Sequence, residues 1–182
     1  MKKRMISTAL TLCLTLSLLC TGAGAAGSGA RQEALQALGI LSGSGNLTSQ
    51  VTRAQFAQML VAASAYKDSA EGYGSSLFKD LKGDHWASGY IRIAIEQGWM
   101  TGYVDGAFRP DRAITLEEGC AALLKVLGYD SSTLKGAYPA AQLAKASSAG
   151  LLDGVSAKRG SALTRQDCVD LFYNLLTAKT SA

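Results

Sequence analysis

One five-residue phrase occurs three times along this chain: Gly39-Ile40-Leu41-Ser42-Gly43, Gly98-Trp99-Met100-Thr101-Gly102 and Gly150-Leu151-Leu152-Asp153-Gly154. Each copy is a glycine, two apolar residues, one polar residue and a second glycine, and each follows a helix-prone stretch, at residues 31–38, 88–97 and 140–149. The first glycine suits the position just past a helix end, where a left-handed backbone is needed, and the next apolar residue can pack back on the last turn. Downstream of each phrase comes a helix start: Val51-Thr52-Arg53-Ala54-Gln55, Ile114-Thr115-Leu116-Glu117-Glu118 and Leu163-Thr164-Arg165-Gln166-Asp167. Each threonine is placed as an N-cap, with Gln55, Glu118 or Asp167 able to reach back and complete a capping box. The apolar residue before each threonine can staple to the fourth helical position at Phe56 and, less fully, at Cys168, but not at Gly119.

The helices so started carry apolar residues at matching offsets: Phe56, Met59, Leu60 and Ala63; Cys120, Leu123, Leu124 and Leu127; Cys168, Leu171, Phe172, Leu175 and Leu176. That spacing gives each a buried face. Isolated short helices are marginal in water, so the copies must share a core, and three helices meeting in a central bundle is the economical arrangement. The chain therefore reads as all-α, with irregular or β-like loops between the helices.

At the N-terminus Lys2, Lys3 and Arg4 precede an apolar run at 10–19 and a small-residue stretch at 21–27. This order is that of a secretory signal peptide, and the run is too short to cross ~30 Å of hydrocarbon. Residues 1–25 are expected to be removed after Ala25. The bulky Leu19 before Cys20 argues against a lipoprotein signal. No stable membrane insertion is expected after cleavage. The remaining chain would carry a formal charge of only +1, since residues 1–25 hold three basic and no acidic residues of the totals of 18 and 14. Such a chain lacks the dense basic face that nucleic acid or anionic lipid requires. Cys13 and Cys20 leave with the signal. Cys120 and Cys168 could pair outside the cell, but their place in apolar helical stretches favours small buried hydrophobes.

The middle copy is the fullest. It runs Phe78-Lys79-Asp80-Leu81, then Asp84-His85-Trp86-Ala87, then Gly102-Tyr103-Val104-Asp105-Gly106-Ala107-Phe108-Arg109-Pro110, then Ile114-Thr115. This order of motifs resembles the S-layer homology family. The resemblance divides the chain into repeat one at 31–68, a Gly/Ser-bearing linker at 69–77, repeat two at 78–129 and repeat three at 138–178. It implies a pseudo-trimer of three helical repeats around a central three-helix bundle. It also implies a secreted protein at the cell wall or cell surface that binds secondary cell-wall polysaccharide, often pyruvylated, as a non-covalent anchor or adaptor. Other envelope proteins form a second class of partner. In the family the arginine after the helix-start threonine is associated with the acidic ligand. Arg53 and Arg165 match it, and Leu116 stands at that place in repeat two.

Physical chemistry supports such a role, because a helix N-terminus favours anions and a guanidinium can grip a carboxylate with two bonds. Tyr103 and Arg109, in the loop of repeat two, are the further candidates for a carbohydrate groove. Trp86 and Trp99 are assigned to packing. His85, the single histidine, reads as a hydrogen-bonding residue at a helix start. Asp80, Asp84, Asp105 and Asp111 lack the alternating oxygen ligands of a calcium loop, so no metal and no cofactor are expected. No G-x-S-x-G, His-containing metal motif or phosphate-binding glycine loop is present, and the expectation is a binding protein rather than an enzyme. The alternative is a protein-interaction scaffold whose repeats kept the fold and lost the sugar site.

Overall fold

The computed structural model describes residues 27–70 and 78–181. The expected signal peptide at 1–25 lies outside the described residues, as does most of the expected linker. Six α-helices are found among the described residues: α1 Ser28–Ala37, α2 Arg53–Ala62, α3 Ser88–Glu96, α4 Leu116–Val126, α5 Ala140–Ser148 and α6 Arg165–Leu175, with one short 3-10 turn at Ser131–Thr133. Among the described residues no strand accompanies them, only three isolated antiparallel bridges. Among the described residues no helix is long and apolar enough to cross a membrane.

Helices α1, α3 and α5 stop at the first glycine of each phrase. Gly39, Gly98 and Gly150 adopt φ of 73°, 71° and 82°. Gly39 and Gly150 donate to Gln36 and Ser147, while Ile40 and Leu151 donate to Leu35 and Ala146, which is the Schellman pattern. Helices α2, α4 and α6 start on Thr52, Thr115 and Thr164, and all three capping boxes are formed in both directions. Gly119, where a staple residue is missing, is filled by neighbours. A Cβ there would lie 2.8 Å from Leu163 Cδ1 and 3.3 Å from Phe56 Cζ.

The extended residues before the three threonines are bonded in a closed ring. Val51 donates to Leu163 at 2.9 Å, Leu163 to Ile114 at 2.9 Å, and Ile114 to Val51 at 3.0 Å. Two residues on, the first amides of the helices run round the opposite way: Arg53 donates to Arg112, Leu116 to Ser161 and Arg165 to Ser49, at 2.9, 3.0 and 2.8 Å. These bonds satisfy donors that a helix start otherwise leaves open. Around the ring, Phe56 packs on Phe172 with ring centroids 5.2 Å apart.

The closest helix packing crosses from one repeat to the next: α3 lies on α2, α5 on α4, and α1 on α6. The first and last helices therefore meet, and no packed pair comes from a single repeat. Phe56, Phe108, Phe172, Leu123 and Leu163 are fully buried, in one continuous apolar cluster. Cys120 and Cys168 are buried free thiols. Burial raises both, Cys120 to about 12, so neither thiolate forms readily. Leu176, placed in the buried set by periodicity, is 46% exposed, because it follows the last residue of α6.

Phe56→Ala should cost about 3–5 kcal/mol in denaturant unfolding, as expected for a buried aromatic. Thr52→Ala should cost about 1 kcal/mol, the usual loss for an N-cap. An unchanged midpoint in either variant would contradict the packing described.

Candidate functional site

A groove of about 450 Å³ opens between the start of α2, the outer face of α4 and the start of α5. Arg53, Tyr103, Glu118, Lys125, Tyr138 and Gln142 are among the residues that line it. Arg53, the first residue of α2, is only 4% exposed. Its Nε donates to the Phe108 carbonyl at 2.9 Å and its Nη2 to the Thr101 carbonyl at 2.7 Å. Its Nη1 stands 3.5 Å from Glu118 Oε1. The guanidinium lies 4.9 Å from the Tyr103 ring centroid and 4.5 Å from that of Phe108. Burial lowers the Arg53 pKa, opposed by the Tyr103 and Glu118 charges.

Glu118 gathers this network. Its Oε1 accepts from Arg112 at 2.8 Å and from the Tyr103 hydroxyl at 3.0 Å, and its Oε2 accepts from the Thr115 amide at 3.1 Å. Arg112 also donates to the Tyr103 hydroxyl. Burial alone would raise the Glu118 carboxyl, but the Arg112 hydrogen bond, the Thr115 amide and the Arg53 charge carry it below its ordinary value. Arg109 stacks on Tyr103 at 4.1 Å and pairs with Asp105 at 3.3 Å. Tyr103 lines the groove, whereas Arg109, which does not, holds the Tyr103 ring from outside the lining.

A second groove, of about 270 Å³, repeats the first with different side chains. Arg165 takes the place of Arg53, Gln55 that of Glu118, and Ser42 that of Thr101. Trp86 stands two residues before α3, as Tyr138 stands two residues before α5. Arg165 Nη2 holds the carbonyls of Ser42 and Gly43, the latter at 2.6 Å, so both arginines clamp the polar residue of a glycine phrase. The difference is charge. No carboxylate lines the second groove, and no ion pair neutralises Arg165 among the described residues. Arg165 is also half-buried rather than buried, with its Nε unpaired.

At the third equivalent position Leu116 is buried and no guanidinium follows the threonine. Arg31 instead pairs with Asp170 at 2.8 Å, beside Gly154, and lies 5.1 Å from the Tyr173 ring centroid. This face is filled by the protein's own ion pair.

Two expectations need correction. The helix N-termini do not offer open amides: in α2 the first three donate to Arg112, Pro110 and Thr52 Oγ1, and in α6 to Ser49, Leu47 and Thr164 Oγ1. Any anion must be held by side chains. Trp86 is not a packing residue, being 54% exposed at the mouth of the second groove, and Tyr138, which sequence reasoning passed over, is 58% exposed at the first. The equal spacing of both aromatics before a helix was the available signal. Trp99 is half-buried against Tyr66 and also lines the first groove. His85 Nδ1 accepts from the Ala87 amide at 3.1 Å, a structural role at the start of α3. Asp80 accepts from the Phe108 and Arg109 amides at 2.8 and 2.7 Å, and so supports Arg109 at its φ of 58°.

Arg53→Ala should destabilise the fold by about 3 kcal/mol, because it frees two carbonyls and removes a partner of a largely buried carboxylate. Chemical denaturation reads this, and a loss under roughly 0.5 kcal/mol would mean that the clamp is dispensable. Glu118 and Asp167 are held below their ordinary values of 4.5 and 3.8. Their stabilisation is therefore complete above those values and is lost as pH falls through the lower folded-state values. The unfolding midpoint should drop on acidification below about pH 4.5, with a shallower slope in Glu118→Gln. An equal slope in the variant would remove Glu118 from the account.

The S-layer homology domain profile matches residues 77–118, the stretch holding α3, the Asp80-supported loop and the capping box of α4. The chain is 29% identical over 147 residues to the middle cell wall protein of Brevibacillus brevis, covering 78% of this chain and 14% of that protein. It is 32% identical over 139 residues to a cell surface protein of Thermoanaerobacter kivui, covering 73% and 18%. A cellulosome-anchoring protein of Acetivibrio thermocellus is 38% identical over 78 residues, covering 42% and 17%. The matched region is thus less than a fifth of each relative's length. Through residues 77–118, the chain belongs to the S-layer homology domain family.

Proposed function

We propose that this chain is a non-catalytic cell-envelope protein that binds secondary cell-wall polysaccharide non-covalently at the cell surface, as an anchor or adaptor. The observation that carries the reading is the duplication of one groove. Two clefts at equivalent places each join a guanidinium, a helix-capping side chain and an exposed aromatic at the mouth. Flat aromatic faces suit sugar rings, and a cation suits an acidic substituent such as a pyruvyl ketal. Two sites on one body also suit a polymer of repeating units, since the second contact becomes intramolecular. The names of the relatives, a cell wall protein, a cell surface protein and a cellulosome-anchoring protein, agree with a role at the envelope.

Arg165 is the direct anion contact in this reading, being half-buried and without a carboxylate neighbour. Arg53 serves the scaffold, with Tyr103 facing the ligand and Arg109 fixing the Tyr103 ring. Retention on purified cell-wall polysaccharide tests the proposal. Arg165→Ala should weaken binding by about ten-fold, the loss of one charge-assisted contact, and stripping pyruvyl groups from the polymer should weaken it at least as much. A folded wild-type chain that ignores both polymers but captures a defined envelope protein would favour the scaffold alternative.

A further inference from the structure

The two grooves differ in where they leave a cation available. In the first, Arg53 is committed to Glu118, Phe108 and Thr101, yet a second cation, Lys125, lines the same groove from the last turn of α4. Lys125 is half-buried, and its ammonium has no ion-pair or hydrogen-bond partner among the described residues. Ten residues separate it from Thr115, and the residue ten past Thr52 is Ala62, so the second groove has no counterpart.

Facing this groove from the first turn of α5 is Gln142, which is 7% exposed. Its Oε1 is buried and has no hydrogen-bond donor among the described residues. A buried amide oxygen left unmet costs free energy, so the position is suited to a donor brought from outside. The third residue of α3, its equivalent in the second groove, is Tyr90. Tyr138 adds an exposed ring at the same mouth.

We propose that the first groove takes an acidic sugar whose carboxylate is held by Lys125 and whose hydroxyl or acetamido N–H donates to Gln142. The proposal rests on the polysaccharide reading above. It makes the two grooves read acidic sugars differently: the second by Arg165 at a helix start, the first by a lysine one helix length away and a buried amide acceptor. Arg53, despite its position, remains a clamp.

The test uses the full chain carrying Arg165→Ala, so that the first groove is measured alone, and purified secondary cell-wall polysaccharide as the probe, either native or with its carboxylates amidated. Lys125→Gln should weaken binding to the native polymer by about ten-fold and change nothing on the amidated one. Gln142→Leu should weaken binding to both polymers by a similar factor, since it removes an acceptor rather than a charge. Matched unfolding midpoints show that each variant is folded, and Lys125→Arg, which keeps the charge, should retain affinity if a variant at that site proves unstable as glutamine. Equal affinity of Lys125→Gln and its parent for the native polymer overturns the proposal. So does complete loss of binding on Arg165→Ala alone, which would leave the first groove without a contribution. Failure of the unsubstituted chain to bind at all would instead overturn the polysaccharide reading beneath it.

Discussion

Three backbone hydrogen bonds among Val51, Leu163 and Ile114 close a ring on which the rest of the molecule is arranged. Each joins an extended residue just before one helix to the same residue before another. A backbone bond of this kind has a net worth of only about 0.5–1.5 kcal/mol, but leaving such buried groups unmet costs more. The ring therefore specifies which helix starts come together. The amides of Arg53, Leu116 and Arg165 continue it outward, so the helix starts are satisfied by neighbouring chain rather than by water or ligand. Packing follows: Phe56, Phe172 and Leu163 meet beside Gly119, where a side chain larger than hydrogen would collide.

Grooves arise as a consequence of this connectivity. Because α3 packs on α2, α5 on α4 and α1 on α6, every junction brings together a helix start, a glycine phrase and the residues leading into the next helix. The residue after the threonine sits at that junction. As arginine it clamps a phrase carbonyl from the neighbouring repeat, Thr101 for Arg53 and Ser42 for Arg165. As Leu116 it cannot, and the third phrase is held instead by Asn174, which donates to the carbonyls of Leu151 and Asp153 at 2.9 and 2.8 Å. One structural position thus carries scaffold duty in both arginine-bearing junctions. Only where the capping residue is Gln55 rather than Glu118 does the guanidinium remain free of a carboxylate.

Much of this architecture was legible in the residues. Glycine phrases and capping boxes are local devices, and Gly39, Gly98, Gly150, Thr52, Thr115 and Thr164 behave as their chemistry requires. The pairing of helices across repeats was not legible, since periodicity shows which face is buried but not what covers it. Charge compensation was hidden for the same reason: Glu118 reads as a capping residue, and only folding brings it to Arg53, 65 positions away in sequence. Trp86 and Tyr138 were obscure because a large aromatic normally fills a core, and only the groove geometry explains their exposure.

Among the described residues the molecule is asymmetric: two open grooves share one design, and a third face is closed by Arg31 and Asp170. Residue-resolved NMR during titration with purified cell-wall polysaccharide tests this most directly. Saturable shifts should appear at Trp86 and Arg165 and at Tyr138 and Tyr103, while Asp170 and Leu116 stay unmoved. Shifts centred on the Arg31–Asp170 face, or none at either groove when polymer is in excess, would contradict it.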